Sequence, residues 1–248
     1  RGAKLTIKFV DSETLEAAVN IIIDRNKYSD RVKVTSKNPA TIMTGKDIPQ
    51  KADLIISDFL TLDFTGKNHL SKIIEANNRL LNRNGKIIPE SAEIKVALLG
   101  ESSEVNDLIK VETVNGYNLS RFNAIMTRKH TYKLYEKPIL LSDPELAFRL
   151  DFYSKEKIYR EEKLLSIKST KSSNCIGIIQ WSKLNLFEHI YHENQPTKDD
   201  CRNYSPIYLF DSPVKISTGQ TIKIKAMFDS EMGMWFEFEE RVGPDNRH

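Results

Sequence analysis

The stretch of this sequence best suited to chemistry is residues 52–60 (ADLIISDFL), which places the carboxylate of Asp58 directly after an apolar run. A small residue and an acid followed by apolar residues are typical of a buried parallel strand. In open α/β sheets, ligands bind beyond the carboxyl ends of the strands, so Asp58 would lie at the mouth of a site. The simpler interpretation is a core strand followed by a solvated acid, and this run alone does not separate the two.

Composition excludes several classes of function. The chain has 248 residues, of which 40% are hydrophobic and 29% charged, as in ordinary globular proteins. No apolar run approaches the roughly 20 residues that cross a bilayer, so we expect no membrane span. The net charge is +3 and both signs alternate along the chain, so no basic stripe indicates nucleic acid.

Cysteine and histidine spacing predicts neither a disulfide nor a metal site. Cys175 and Cys201 lie far apart with no CxxC motif, which favours free thiols in a reducing compartment. Together with the absence of a visible signal peptide, this predicts an intracellular protein, cytoplasmic or nuclear. Only His189 and His192 are close together, in a polar stretch that reads as a solvated loop rather than a zinc site.

The first ninety residues alternate between strand and helix patterns, which predicts a parallel sheet covered by helices. Ser12 is placed to cap the first helix and Asn26 to end it. Asn84-Gly85 is a strong turn signal. The predicted elements are a strand at 5–10, a helix from 13, strands at 31–35 and 52–59, a helix at 72–82 and a short strand at 86–92 broken by Pro89.

From Glu93 onwards, short alternating β patterns with turn residues between them predict an antiparallel barrel or sandwich. The patterns lie at 93–99, 176–181, 206–210, 221–227 and 234–238, with turns predicted at 211–213, 218–219 and 229–230. We therefore divide the chain near Pro89 into domains 1–89 and 90–248. A polar, helix-like segment at about 105–135 interrupts the second domain, with Tyr117, Phe122 and Met126 as candidate anchors.

The order of these segments resembles the protein arginine methyltransferase family, most closely its two-module, monomethylating branch. The resemblance rests on "FVDSETLEAAVNIIIDRN", "IPQKADLIISDFLTLDFTGKNHL", "LLNRNGKIIPESAEIKVALLGES" and, further on, "IGIIQWSKLNL" and "SPVKISTGQTIKIKAMF". Each motif is weak alone, but their order extends over nearly the whole chain. The fold it implies is α/β + β: a partial Rossmann-like methyltransferase sheet followed by an antiparallel β-barrel with a helical arm.

The resemblance implies S-adenosylmethionine as the cofactor, if there is one, and it locates the expected cofactor contacts. The family's glycine-rich motif would precede Arg1. Its ribose-binding acid falls at Val10, with Asp11 one residue out of step, and side chains one residue apart on a strand point to opposite faces. The adenine-side contact falls near Asn38.

On the substrate side, the family holds a planar guanidinium between two carboxylates. The first is matched by Asp58, which is one methylene shorter than glutamate. The second is matched by Lys67, whose ammonium would face a cationic substrate at a cost of several kcal/mol. The family's histidine–tryptophan element falls at Asn203-Tyr204.

Three hypotheses follow. In the first, the chain is an inactive methyltransferase-like module, either the second half of an arginine methyltransferase or a structural or regulatory partner of one. In the second, it is an active protein arginine N-methyltransferase whose cofactor motif lies upstream of Arg1, with Asp58 as the main acid and Glu75 or Asp63 as the second. In the third, it is an unrelated ligand-binding protein of α/β plus β architecture.

The resemblance also implies a protein partner. The family's helical arm docks on the first domain of another module, so residues 108–135 are expected to form a homodimer or pseudo-dimer contact with a second methyltransferase module. The family's central strand precedes the glycine-rich loop. Without it, the strands at 5–10 and 52–59 would each have an unpaired edge, so we expect residues before Arg1, or another chain, to supply that strand.

Overall fold

The structure is a computed structural model of the chain. It describes residues 3–57, 69–103, 105–106, 111–132, 137–154, 160–198, 204–229 and 232–239.

The amino-terminal part follows the predicted alternation of strand and helix. Strands β1 and β2 pair in parallel, and so do β3 and β4, but the two pairs form separate two-stranded sheets. No strand of the described residues lies between β1 and β3. The elements are β1 (Thr6–Phe9), α1 (Glu13–Arg25), β2 (Val32–Thr35), a 3-10 helix (Pro39–Thr41), β3 (Ala52–Ile56), α2 (His69–Leu80) and β4 (Leu81–Ile88).

Helix α1 begins and ends where the sequence predicts. The Ser12 hydroxyl accepts a hydrogen bond from the Leu15 backbone N–H at 3.2 Å, and Asn26 is the carboxyl-terminal cap. The helix buries Ile23 but leaves Ile21 and Ile22 more than half exposed. One face of this part of the molecule is therefore apolar and open.

The turn predicted at Asn84-Gly85 is wrong. Helix α2 ends at Leu80, β4 begins at the next residue, and both turn residues lie inside the strand. Gly85 is needed there for packing rather than for turning: a Cβ atom would lie 2.6 Å from Leu81 Cδ1 and 3.1 Å from the Ala52 carbonyl oxygen on β3. A glycine in a strand allows this close approach of a neighbouring backbone.

The carboxyl-terminal part is antiparallel. A six-stranded sheet has the order β8-β13-β11-β5-β9 with β12 added to β11, and a three-stranded sheet has the order β10-β14-β15. Its elements are β5 (Ser91–Gly100), β6 (Thr113–Val114), β7 (Tyr117–Asn118), β8 (Lys129–Tyr132), β9 (Glu145–Asp151), β10 (Arg160–Lys168), β11 (Ser173–Phe187), β12 (Ile190–Glu193), β13 (Ser205–Ile216), β14 (Thr221–Asp229) and β15 (Gly233–Phe238).

The main hydrophobic core lies between these two sheets and extends into the α/β part. Phe148 of β9 packs against Phe228 of β14 and Phe236 of β15, with ring centroids 6.0 and 6.3 Å apart. Ile74 of α2 and Ile87 of β4 are fully buried in the same core. The parts before and after Pro89 thus share one core.

Two further predictions for the second part are wrong. The turn predicted at 211–213 lies within β13, where the ladder with β11 skips from Leu209 to Val214; the turn-forming residues accommodate this irregularity. The helix predicted over 105–135 is absent from residues 111–132. That stretch instead forms the β6–β7 hairpin, a 3-10 helix (Ser120–Ile125) and β8.

Trp181 of β11 is a core residue that is 1% exposed. Its indole N–H donates to Glu193 Oε1 at 3.1 Å, and the ammonium groups of Lys95 and Lys198 donate to the two oxygens of the same carboxylate at 3.0 and 3.3 Å. Burial alone would raise the pKa of Glu193, but the hydrogen bonds from Lys95 and Trp181 outweigh it, and the net pKa is lowered. This network holds β12 against β5 and β11.

Three observations bear on membrane, metal and thiol chemistry. No helix in the described part of the chain is long and apolar enough to cross a membrane. The described residues contain no group of three or more histidine, cysteine or acidic side chains placed to hold a metal. Cys175 is a buried free thiol whose pKa burial raises to about 11, and Cys201 lies outside the described residues.

Candidate functional site

The candidate site lies at the carboxyl ends of the two parallel strand pairs, β1–β2 and β3–β4. Two backbone hydrogen bonds extend the ladders by one residue: Val10 N–H donates to the Thr35 carbonyl at 3.0 Å, and Ser57 N–H donates to the Ile88 carbonyl at 2.9 Å. Asp58 follows Ser57 directly. Asp58, Asp63 and Lys67 all lie outside the described residues, so the predicted substrate-binding positions stay predictions.

At the end of β1, the strand places an apolar side chain where the resemblance expects an acid. The bond to Thr35 fixes Val10 in the register of the strand. Asp11 follows and is exposed. Asp11 lies beyond the last residue that the ladder pairs, so the register of β1 does not fix the direction of its carboxylate.

At the end of β2, Asn38 is committed to local structure. It is the amino-terminal cap of the Pro39–Thr41 helix, and its side-chain oxygen accepts from the Ala40 N–H at 3.0 Å. The amide oxygen keeps a second lone pair, and the NH₂ group has two donors. The cofactor contacts expected at Asp11 and Asn38 stay predictions.

Glu16 of α1 is a residue that sequence reasoning missed: it binds the segment after β2. Its Oε2 accepts from the Ser36 backbone N–H at 2.7 Å and from the Ser36 hydroxyl at 2.6 Å. The hydroxyl, and then the N–H, lower the pKa of Glu16. No local pattern could reveal this bond, because the two residues lie 20 positions apart on different elements.

Arg79 of α2 is a second residue that sequence reasoning missed. Its guanidinium donates to the Ile42 carbonyl at 2.7 Å and to the Pro39 carbonyl at 2.8 Å, across some 40 positions of sequence. It thereby holds the 3-10 turn against the carboxyl-terminal half of α2. Its Nε lies 3.6 Å from Glu75 Oε1, so the structure places Glu75, a candidate second acid, beside Arg79 on the same helix.

The remaining predicted position belongs to the second domain. Tyr204, where the resemblance expects a tryptophan, is half exposed and directly precedes β13, and Asn203 lies outside the described residues.

The described residues at the carboxyl ends of the parallel strands are Val10, Asp11, Asn38 and Ser57, a set with one carboxylate. Ser57 Oγ is buried without a hydrogen-bond partner in the part of the chain that the structure describes.

Comparison with characterised proteins gives a consistent family. No protein-family model matches the chain. It is 23% identical over 223 residues to an arginine N(omega)-methyltransferase of Streptomyces achromogenes, covering 89% of this chain and 59% of that protein. It is 25% identical over 178 residues to protein arginine N-methyltransferase 7 of rice, covering 66% of this chain and 24% of that protein.

A solved structure has the same fold. The Trypanosoma brucei PRMT1 enzyme-prozyme heterotetrameric complex with AdoHcy contains a chain that superposes with a TM-score of 0.75 at 13% identity, over 96% of this chain and 81% of that one. The present chain spans 59% of the Streptomyces relative and about a quarter of the rice relative. Its sequence is similar to those of arginine methyltransferases, and its fold is a Rossmann-like methyltransferase domain followed by a β-barrel domain.

Proposed function

We propose that this chain is a protein arginine methyltransferase-like module that does not itself transfer methyl groups and acts as the structural or regulatory partner of a module that does. The observation that carries the proposal is Val10. Its backbone bond to Thr35 fixes it as the last paired residue of β1. An isopropyl group there cannot accept hydrogen bonds from ribose hydroxyls, and Asp11, one residue further on, lies beyond the strand.

The substrate side supports the same proposal from sequence. Lys67 replaces the second carboxylate that would hold a guanidinium. A guanidinium stays protonated at any physiological pH, so an ammonium beside it is repulsive rather than neutral. A single acid at Asp58 cannot form the two-sided grip that orients the substrate nitrogen.

A partner role is consistent with what this fold does elsewhere. The solved relative combines an enzyme and a prozyme in one heterotetramer. In the present chain, the segment predicted to make such a contact carries apolar side chains that the chain itself leaves uncovered: Tyr117 is 74% exposed, Phe122 55% and Ile125 78%. Apolar groups of this size, close together in one short segment, mark an interaction site.

The contact surface is tested by light scattering coupled to size-exclusion chromatography. We expect the full protein to assemble, alone or with an active methyltransferase module, and Phe122→Asp to shift it to the smaller species because a charge would be buried in the contact. Ile190→Asp, at a residue that is 60% exposed on β12, is the matched control. Unchanged assembly of Phe122→Asp would exclude this segment as the contact.

Cofactor binding is tested by isothermal titration of the full protein with S-adenosylmethionine. The proposal predicts no heat of binding up to millimolar cofactor. Micromolar binding would support the second hypothesis instead, an active enzyme in which residues outside the described part of the chain complete the cofactor site.

A further inference from the structure

The face of β2 carries a cavity that the proposed function does not use. Its volume is about 230 Å³. Its apolar lining consists of Ile7 of β1, Val34 of β2 and two loop residues, Ile42 and Ile48. Lys33, on β2, is the register partner of Ile7. The cavity thus combines an apolar floor with a charged strand beside it.

The strand beside this cavity is an edge strand. Within the described residues β2 pairs only with β1, in parallel. No described strand hydrogen-bonds to its other side. An unpaired edge with an adjacent pocket is the arrangement that binds extended peptides by strand addition: the backbone gives affinity and the pocket selects a side chain.

The charges around the cavity are unbalanced. Three lysines and one aspartate line it. Asp47 pairs with Lys37 at 2.5 Å and also accepts from the Met43 backbone N–H at 2.9 Å, so its charge is committed. Lys33 and Lys46 are exposed and make no ion pair within the described residues. The surplus is positive and selects an acidic ligand.

The wall of the cavity is preorganised. Ile42 and Ile48 are 1% and 7% exposed, packed on α2 and β3. The loop between them is closed by Gly45 N–H donating to the Ile48 carbonyl at 2.7 Å, and Arg79 holds the Ile42 carbonyl. A wall that is already ordered before a ligand binds loses little conformational entropy on binding.

Lysines on an edge strand also occur simply as protection against aggregation. Protective lysines need no cavity, whereas here they lie beside an open cavity of about 230 Å³ with apolar residues in its wall. We propose that an acidic, extended segment of a partner protein adds to the free edge of β2, places one apolar side chain in the cavity and pairs its acids with Lys33 and Lys46.

The test is fluorescence anisotropy of the full protein with a fluorescein-labelled peptide of sequence DEDLDED. We expect saturable binding that weakens about tenfold or more in the double variant Lys33→Glu/Lys46→Glu, through lost charge-assisted bonds. The double variant Lys171→Glu/Lys215→Glu, exposed on the β-barrel domain, changes the net charge equally and should bind as the parent does. Equal weakening in both doubles, or no binding to the parent, overturns the proposal.

Two further peptides separate strand addition from simpler binding. Replacing the leucine by glycine should weaken binding several-fold by emptying the cavity, and N-methylation of alternate backbone amides should abolish it by removing edge hydrogen bonds. If the glycine and N-methyl peptides bind as well as the parent peptide while dodecanoate displaces all three, the cavity is a site for small amphipathic anions and the peptide proposal is wrong. None of these outcomes depends on S-adenosylmethionine.

Discussion

Replacing Arg79 tests whether the loop after β2 is held in place by a single side chain. Arg79→Met keeps the aliphatic stem that packs along α2 and removes the two hydrogen bonds to the carbonyls of Pro39 and Ile42. Arg79→Lys keeps the charge but supplies one compact donor group in place of a planar fork, so it should restore only part of the loss.

The magnitude follows from the geometry. A hydrogen bond to a charged group contributes about 1.5–3 kcal/mol, and the Arg79 side chain forms two. Holding an arginine side chain costs up to about 2 kcal/mol in rotamer entropy, and the side chain is 34% exposed, so water replaces part of what is lost. We expect Arg79→Met to lower the free energy of unfolding by about 2 kcal/mol and Arg79→Lys by about 1 kcal/mol.

The assay is urea unfolding followed by hydrogen exchange of the native protein. With a urea m-value of about 1–3 kcal/mol/M, the midpoint should fall by roughly 1 M in Arg79→Met. The amides at 40–43 should exchange faster in Arg79→Met than in the parent protein. Arg83→Met, at an exposed position on β4, is the matched control and should match the parent. If Arg79→Met unfolds within about 0.5 kcal/mol of the parent with unchanged exchange at 40–43, the reasoning fails.

Two other changes test the barrel. Glu193→Gln should lower stability by about 1–3 kcal/mol at neutral pH. The folded pKa of Glu193 is depressed, so its contribution to stability is present above the ordinary pKa and is lost as the pH falls through the folded value. In acid titration followed by fluorescence, the stability of the variant should therefore decline less steeply below about pH 4.5 than that of the parent. An equally steep decline would show that the network does not hold this charge. Gly177→Ala would place a Cβ atom 2.2 Å from the Tyr208 carbonyl oxygen and should lower the free energy of unfolding by about 3 kcal/mol or more. At Gly219 an added Cβ would meet nothing within 4 Å, but φ is +84°, so Gly219→Ala should lower it by about 1 kcal/mol. Thermal melting measures both. Similar melting temperatures for the two variants would contradict the packing of β11 on β13.

Local sequence patterns correctly predicted features that depend on residues close together in the chain, such as the ends of a helix and the alternation of a strand. Ser12 and Asn26 delimit α1 because capping depends on neighbours three or four residues away. The alternation at 93–99 predicted β5 because its inward positions are apolar. The antiparallel character of the second part followed from many short alternating runs.

The errors arise where distant contacts overrule a local signal. Asn84-Gly85 is a turn pair by propensity, yet β3 approaches Gly85 so closely that the chain continues as a strand. The polar stretch 111–132 has helical character in sequence but forms a hairpin and a 3-10 turn, and its last strand, β8, gains a partner in β13. A local sequence pattern cannot predict pairing with a strand that is distant in the chain.

The candidate site likewise has some features that follow from the sequence and others that do not. The mismatch at Val10 follows from the order of motifs and stays a prediction; the structure shows that Val10 continues the ladder of β1. The bonds from Glu16 to Ser36 and from Arg79 to Pro39 and Ile42 could not, because each joins residues 20 or more positions apart. These bonds, together with the cap at Asn38, fix the shape of the loop that leaves β2.

The most direct test of the central claim is transfer of a radiolabelled methyl group from S-adenosylmethionine to an arginine-rich peptide by the full protein alone. A module with Val10 at the ribose position and Lys67 at the substrate position is predicted to give no incorporation above background. Incorporation that disappears in Asp58→Ala would show a working site and would contradict the account.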